Sequence, residues 1–150
     1  MKHLIYAYGN PGRGDDNVAH LLADALQHER WEQEVTIKHN FQLNLEDVAL
    51  MADHDRVLFM DASLEAEHCQ LEVVEPNARQ IEFTNHAMAP QYLLSLCELL
   101  YGCHPDTYLL HIPGRNFDLE DQMSSWTIAH VPEARQIVRK WMDSSLAQPA

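Results

Sequence analysis

"HLIYAYGNPGRGDDN" (residues 3–17) sets an apolar run against a turn holding three glycines, a proline and two adjacent aspartates. A short apolar run closed by glycine and proline reads as a buried strand. The stretch after the turn reads as a helix: Val18, Leu21, Leu22, Ala25 and Leu26 recur at i, i+3, i+4, i+7 and i+8 and form one apolar stripe. Strand, glycine-rich turn and amphipathic helix in that order open a parallel sheet covered by helices.

Such a turn commonly receives a phosphate, and the two aspartates argue against that here. Exposed N–H groups and the positive end of the helix dipole attract an anion, but Asp15 and Asp16 already supply the negative charge. The turn also lacks the Gly-Lys-Ser/Thr ending of a phosphate cradle and the G-x-G-x-x-G of a dinucleotide site. Two readings stay open. One aspartate caps the helix while the other is a solvated first-turn acid, or a carboxylate is projected across the sheet edge by a tight glycine-dependent path.

Beyond the turn, short apolar runs alternate with helical periodicity. Strands are expected in "LIYAY" (4–8), "EVTIKHN" (34–40), "RVLFMDA" (56–62), "QIEFT" (80–84) and "TYLLHI" (107–112), with "QLEVVE" (70–75) a weaker strand or hairpin arm. "LNLEDVALMA" (43–52) reads as a short connecting helix. Pro90 opens another helix, with Leu93, Leu96, Cys97 and Leu100 on one face and Gly102 placed to end it. Ala134, Ile137, Val138 and Trp141 mark the last helix, and "SSLAQPA" reads as a frayed tail. The expected fold is a three-layer α/β/α sandwich, one domain over residues 1–150, with a mostly parallel twisted sheet of about five strands flanked by helices.

The 23 Asp and Glu outnumber 10 Lys and Arg, giving a net charge of −13, which repels nucleic-acid backbones and anionic lipid surfaces. No nucleic acid and no membrane are expected as partners, and the chain reads as cytoplasmic: the start reaches glycine too early for a signal peptide. Three cysteines without C-x-x-C spacing encode neither a disulfide framework nor a thiolate zinc site. No serine or cysteine stands in a nucleophile motif, so covalent catalysis has no support.

Ligands of such sheets bind beyond the carboxyl ends of the strands, near a switch point in strand order. Three residues there stand out: Asp16 in the opening turn, Asp61 closing "RVLFMDA", and His86 in "IEFTNHAMAP". Singly, each has an ordinary structural reading as a cap, a turn residue or one of 10 histidines. Together, two carboxylates and an imidazole make an N/O set that suits a borderline divalent metal and leaves coordination positions open. Asp15 and Asn10 are assigned supporting roles, Asp15 in orienting Asp16 or sharing the cap and Asn10 in closing the turn. "EAEHC" (65–69) and the Cys103–His104 pair read as solvated connectors.

The ordered set "YGNPGRGDDN", "FMDA" and "TNHAMAP" resembles the hydrogenase maturation endopeptidases over most of the chain. The pattern departs from that family in its "PGRG" spacer and in having Asn17, Val18, Ala19 and His20 where a glycine is usual. The resemblance implies a cytoplasmic, monomeric hydrolase that removes the C-terminal extension of a [NiFe]-hydrogenase large-subunit precursor after nickel insertion. It also implies that nickel arrives with the substrate, with cadmium or zinc able to substitute, and that Asp16, Asp61 and His86 contact it. Asp16 or Asp61 would position or deprotonate water, in the manner of an aspartyl protease. A nickel-binding assembly chaperone that cleaves nothing would use the same residues.

Overall fold

A computed structural model describes residues 1–76 and 89–147 of the chain. Its strands are β1 (Lys2–Tyr8), β2 (Glu34–Asn40), β3 (Arg56–Ser63), β4 (Gln70–Val73) and β5 (Asp106–Pro113). The helices are α1 (Val18–Gln27), α2 (Asp47–Ala52), α3 (Pro90–Tyr101), α4 (Ser125–Ile128) and α5 (Val131–Ala147). The strands form one sheet in the order β2-β1-β3-β5-β4, parallel except for β4. This is the expected three-layer architecture with five strands among the described residues.

The strand period of two sorts the core into its layers. Ile5 and Ala7 of β1, with Leu58, Met60, Leu110 and Ile112, face α1 and α5 through Val18, Leu22, Leu26, Val138 and Trp141. Leu4 and Tyr6, with Val57, Phe59 and Leu109, face α2 and α3 through Val48, Met51, Leu93, Leu94 and Cys97. Both faces of the central strands are thereby buried, which is why their sequences read as continuous apolar runs rather than alternating ones.

The weaker run "QLEVVE" supplies β4, a four-residue antiparallel edge with all its residues exposed. Its two apolar residues, Leu71 and Val73, are exposed. "QIEFT" and His86 lie outside the described residues. Pro90 sits at the start of α3, and Gly102 ends it at φ 65°. The "LNLEDVALMA" helix is shorter than its quoted stretch, because Asp47 accepts from the Asn44 N–H at 2.8 Å and makes the preceding residues a turn. The tail begins later than expected. Ser144 and Ser145 bond back to the Trp141 and Met142 carbonyls at 2.7 Å each, and α5 continues to Ala147. The short α4 has no counterpart among the expected elements; Ser124 caps it by accepting from the Thr127 N–H. Among the described residues no helix is long and apolar enough to cross a membrane.

Candidate active site at the carboxyl edge

The chain leaves β1 to form β2 on one side of it, then crosses to form β3 on the other. The switch in direction falls between β1 and β3, where the carboxyl ends of two adjacent strands diverge and leave a crevice. Tyr8 and Gly9 stand on one side of this point and Asp61 on the other.

The opening turn is shaped for close approach. Gly9 has φ 142°, and a Cβ there would lie 2.2 Å from the carbonyl oxygen of Asp16. Any other residue would push the two ends of the turn apart. Within the turn, the Asn10 side chain accepts from the Gly12 N–H at 2.8 Å, the closing role expected of it. The Asn10 N–H donates to Asp16 Oδ2 at 2.6 Å, which fixes one oxygen of that carboxylate.

Asp16 and Asp61, remote in sequence, are close enough to repel. The Asp61 carboxyl is raised to about 7 by burial first and by the Asp16 charge second, against the opposing pull of the Ala62 N–H and the Tyr8 hydroxyl. Tyr8 reciprocates: burial and the Asp61 charge push its phenol well above the ordinary value. In the sequence Tyr8 reads only as the last residue of a strand, and nothing there marks it as part of the site. The available signal is its phase, two residues on from Tyr6 on the face that carries Phe59, against whose ring it packs edge-on at 6.3 Å.

Of the readings offered for Asp15, the cap and the solvated acid fail. It neither caps a helix nor points to solvent; no side-chain cap is made at the start of the 3-10 turn Gly14–Asn17 or of α1. Instead it is fully buried and accepts from the Arg115, Asn116 and Ser124 N–H groups at 2.9, 3.0 and 2.7 Å, and from the Ser124 hydroxyl at 2.9 Å. Burial alone would raise its carboxyl, but these bonds outweigh it and hold the group at about 2. Asp15 therefore fastens the opening turn to the segment after β5. Gly14 permits the approach with φ 51°, since a Cβ there would lie 2.5 Å from the Asn116 carbonyl oxygen.

Next to Asp61 in the β3–β5 register stands His111, whose Nε2 lies 2.6 Å from Glu72 Oε2 of β4. Parallel partners carry their side chains on the same face, so Asp61 and His111 are neighbours along the edge. The "EAEHC" stretch is a connector as expected, with Glu65, Glu67 and His68 exposed and the Cys69 thiol donating to the His130 carbonyl. His104 pairs with Glu98 in the link between α3 and β5. Of the three expected metal contacts, the structure brings Asp16 and Asp61 together, and His86 falls outside the described residues. Among the described residues no three His, Cys, Asp or Glu side chains are arranged to hold a metal.

No protein-family model and no curated protein matches the sequence. Solved structures do match. The hydrogenase maturating endopeptidase HybD from E. coli superposes with a TM-score of 0.72 at 19% identity, over 97% of this chain and 94% of that one. The [NiFe] hydrogenase maturation protease HycI from Thermococcus kodakarensis gives 0.70 at 20%, over 95% and 90%. The hydrogenase 2 maturation peptidase from a Thaumarchaeota archaeon gives 0.70 at 20%, over 95% and 98%. The chain has the hydrogenase maturation protease fold. Near-complete coverage in both directions means that this fold is present without a large insertion or deletion. At such identities the likeness speaks for the fold, and the activity rests on the chemistry of the edge.

Proposed function

We propose that the protein is an endopeptidase that removes the C-terminal extension of a [NiFe]-hydrogenase large-subunit precursor after nickel insertion. One observation carries this reading: Asp16 and Asp61 converge, and repel, at the switch point of a sheet with the hydrogenase maturation protease fold. Two unneutralised carboxylates held together at an open edge are costly unless a cation or a proton joins them.

In this reading the nickel is cargo of the substrate. Asp16, Asp61 and His86 act as additional ligands to an ion already held by the precursor, an N/O set suited to a borderline divalent metal, so that cadmium or zinc can take the same place. Engagement of the ion holds the scissile segment in register with the edge. Hydrolysis then needs a group to accept a proton from water as its oxygen attacks the carbonyl carbon. The same proton passes to the departing nitrogen as the C–N bond breaks. Asp16 or Asp61 takes that proton, and the carboxylate that does so is not bound to the ion at that moment, because a bound cation competes with the proton for the same lone pairs. Asp16 is tied by the Asn10 N–H and suits the fixed contact.

The test is incubation with nickel-loaded and nickel-free precursor, read by intact mass. A shortened product from the loaded form alone is the expected result. Stable binding without shortening would make the protein an assembly chaperone instead. Asp16→Ala, Asp61→Ala and His86→Ala should each remain folded and lose processing by about 100-fold or more; normal processing by any two would defeat the site.

A further inference from the structure

We propose that His20 and His39 position Asp16, acting through the single peptide unit that joins Gly9 to Asn10. The carbonyl of that unit lies 2.8 Å from His20 Nε2, and its N–H donates to Asp16 Oδ2 at 2.6 Å. One peptide plane is thus gripped from both sides, by an imidazole on α1 and by the carboxylate.

The partners dictate where the ring protons lie. A carbonyl oxygen only accepts, so His20 Nε2 carries a hydrogen. That leaves His20 Nδ1 with a lone pair in the neutral ring, and His39 Nδ1 stands 3.0 Å from it. His39 must therefore donate from Nδ1. The ring planes are 13° from parallel with centroids 5.2 Å apart, and the nitrogens are much closer than the centroids, so the rings meet edge to edge as an N–H···N bond requires. His39 Nε2 faces Gln27 Nε2 at 3.4 Å and Asp24 Oδ1 at 3.6 Å, and His39 keeps its Nδ1 hydrogen whichever charge it carries.

The chain of donors then runs in one direction: His39 Nδ1–H to His20 Nδ1, His20 Nε2–H to the Gly9 carbonyl, Asn10 N–H to Asp16. Each donation polarises the next group and strengthens the following bond. Supporting hydrogen bonds of this kind orient ligands and bases at many metal sites. Here the support passes through the main chain, and it occupies the stretch where the sequence departs from the family pattern, at His20.

The activity readout rests on the proteolytic reading, and a second readout does not. Long-range 1H–15N NMR of the wild-type chain should find His20 protonated at Nε2 and His39 at Nδ1, the minor form of free histidine in water. Nε2 protonation of both rings, or averaging between forms in both, would overturn the relay whether or not any precursor is cut. His20→Leu should move the Asn10 amide proton upfield and lower kcat about 10-fold or more at nearly unchanged KM. His20→Gln can donate through its amide N–H and accept through its amide oxygen, and should hold both the Asn10 shift and kcat within about threefold of wild type. Wild-type Asn10 shift and kcat in His20→Leu would likewise overturn it. If the wild type cuts no precursor, the proteolytic reading fails, while the ring protonation and the Asn10 shift still decide this one.

Discussion

At the scale of single residues, two acids in the same neighbourhood have opposite proton affinities, and each sets a pH dependence. Asp61 is raised from 3.8 to about 7, so its ionised form is disfavoured by folding. The stability it allows is fully present below about 4 and is lost as pH rises through about 7. Asp61→Asn should therefore be more stable than wild type at pH 8, by on the order of 2 kcal/mol after discounting for its partial exposure, and match it at pH 4. Thermal melts at the two pH values check this. Asp15 goes the other way. Its carboxyl is held at about 2, so its contribution is present above about 4 and fades as pH falls toward 2. Asp15→Ala strands the Arg115, Asn116 and Ser124 donors in the interior and should cost about 3 kcal/mol, a fall in Tm of roughly 10 °C at pH 7.

At the scale of elements, the glycines that end strands and helices are not equivalent. Gly102 ends α3 in a left-handed conformation with nothing within 4 Å of an added Cβ. Gly102→Ala should cost about 1 kcal/mol and leave processing untouched. Gly9→Ala has no room, because its Cβ would run into the main chain of Asp16. It should cost about 2 kcal/mol or more and also lower kcat, since the turn can relax only by moving Asp16. Comparing the two variants in melts and in the processing assay separates a helix cap from a site turn.

The elements themselves show what a sequence can and cannot disclose. β1, β3 and β5 are legible because burial writes a nearly continuous apolar run, and β2, an edge strand with no fully buried residue, through the alternation of Val35 and Ile37 with polar neighbours. α1 and α3 are legible as helices through their periodicity, and α3 also through Pro90 and Gly102, but their buried faces are turned from the expected stripes: Ala19 and Ala23 are buried in α1 while Leu21 is exposed, and Leu94 is buried in α3 while Leu100 is exposed. β4 is faint because an exposed edge needs no apolar pattern. Asp16 and Asp61 can be found because strand ends predict where an edge site lies. Asp15 cannot be assigned, since its partners Arg115 and Ser124 are fixed only by tertiary folding. The His20–His39 pair is invisible for the same reason: it depends on the register that sets Ala7 beside His39.

For the whole molecule, the net charge of −13 acts on stability and on encounter alike. Self-repulsion among the acids should ease as salt rises, so Tm should increase between about 10 mM and 200 mM salt, where the screening length shortens from roughly 30 Å to under 10 Å. A flat or falling Tm would show that repulsion among the acids costs the fold little.

Both acids of the edge are encoded within the first 61 residues, yet the turn carrying one of them is pinned, through Asp15, to residues 115–124 near the other end of the chain. During synthesis, Asp16 and Asp61 are translated well before the donors that hold the turn in place. The nascent chain thus carries both carboxylates before the bearing that aims the turn. Under the proposed reading, insertions in the 115–124 segment should impair processing without touching either carboxylate, because they move the donors that hold the turn.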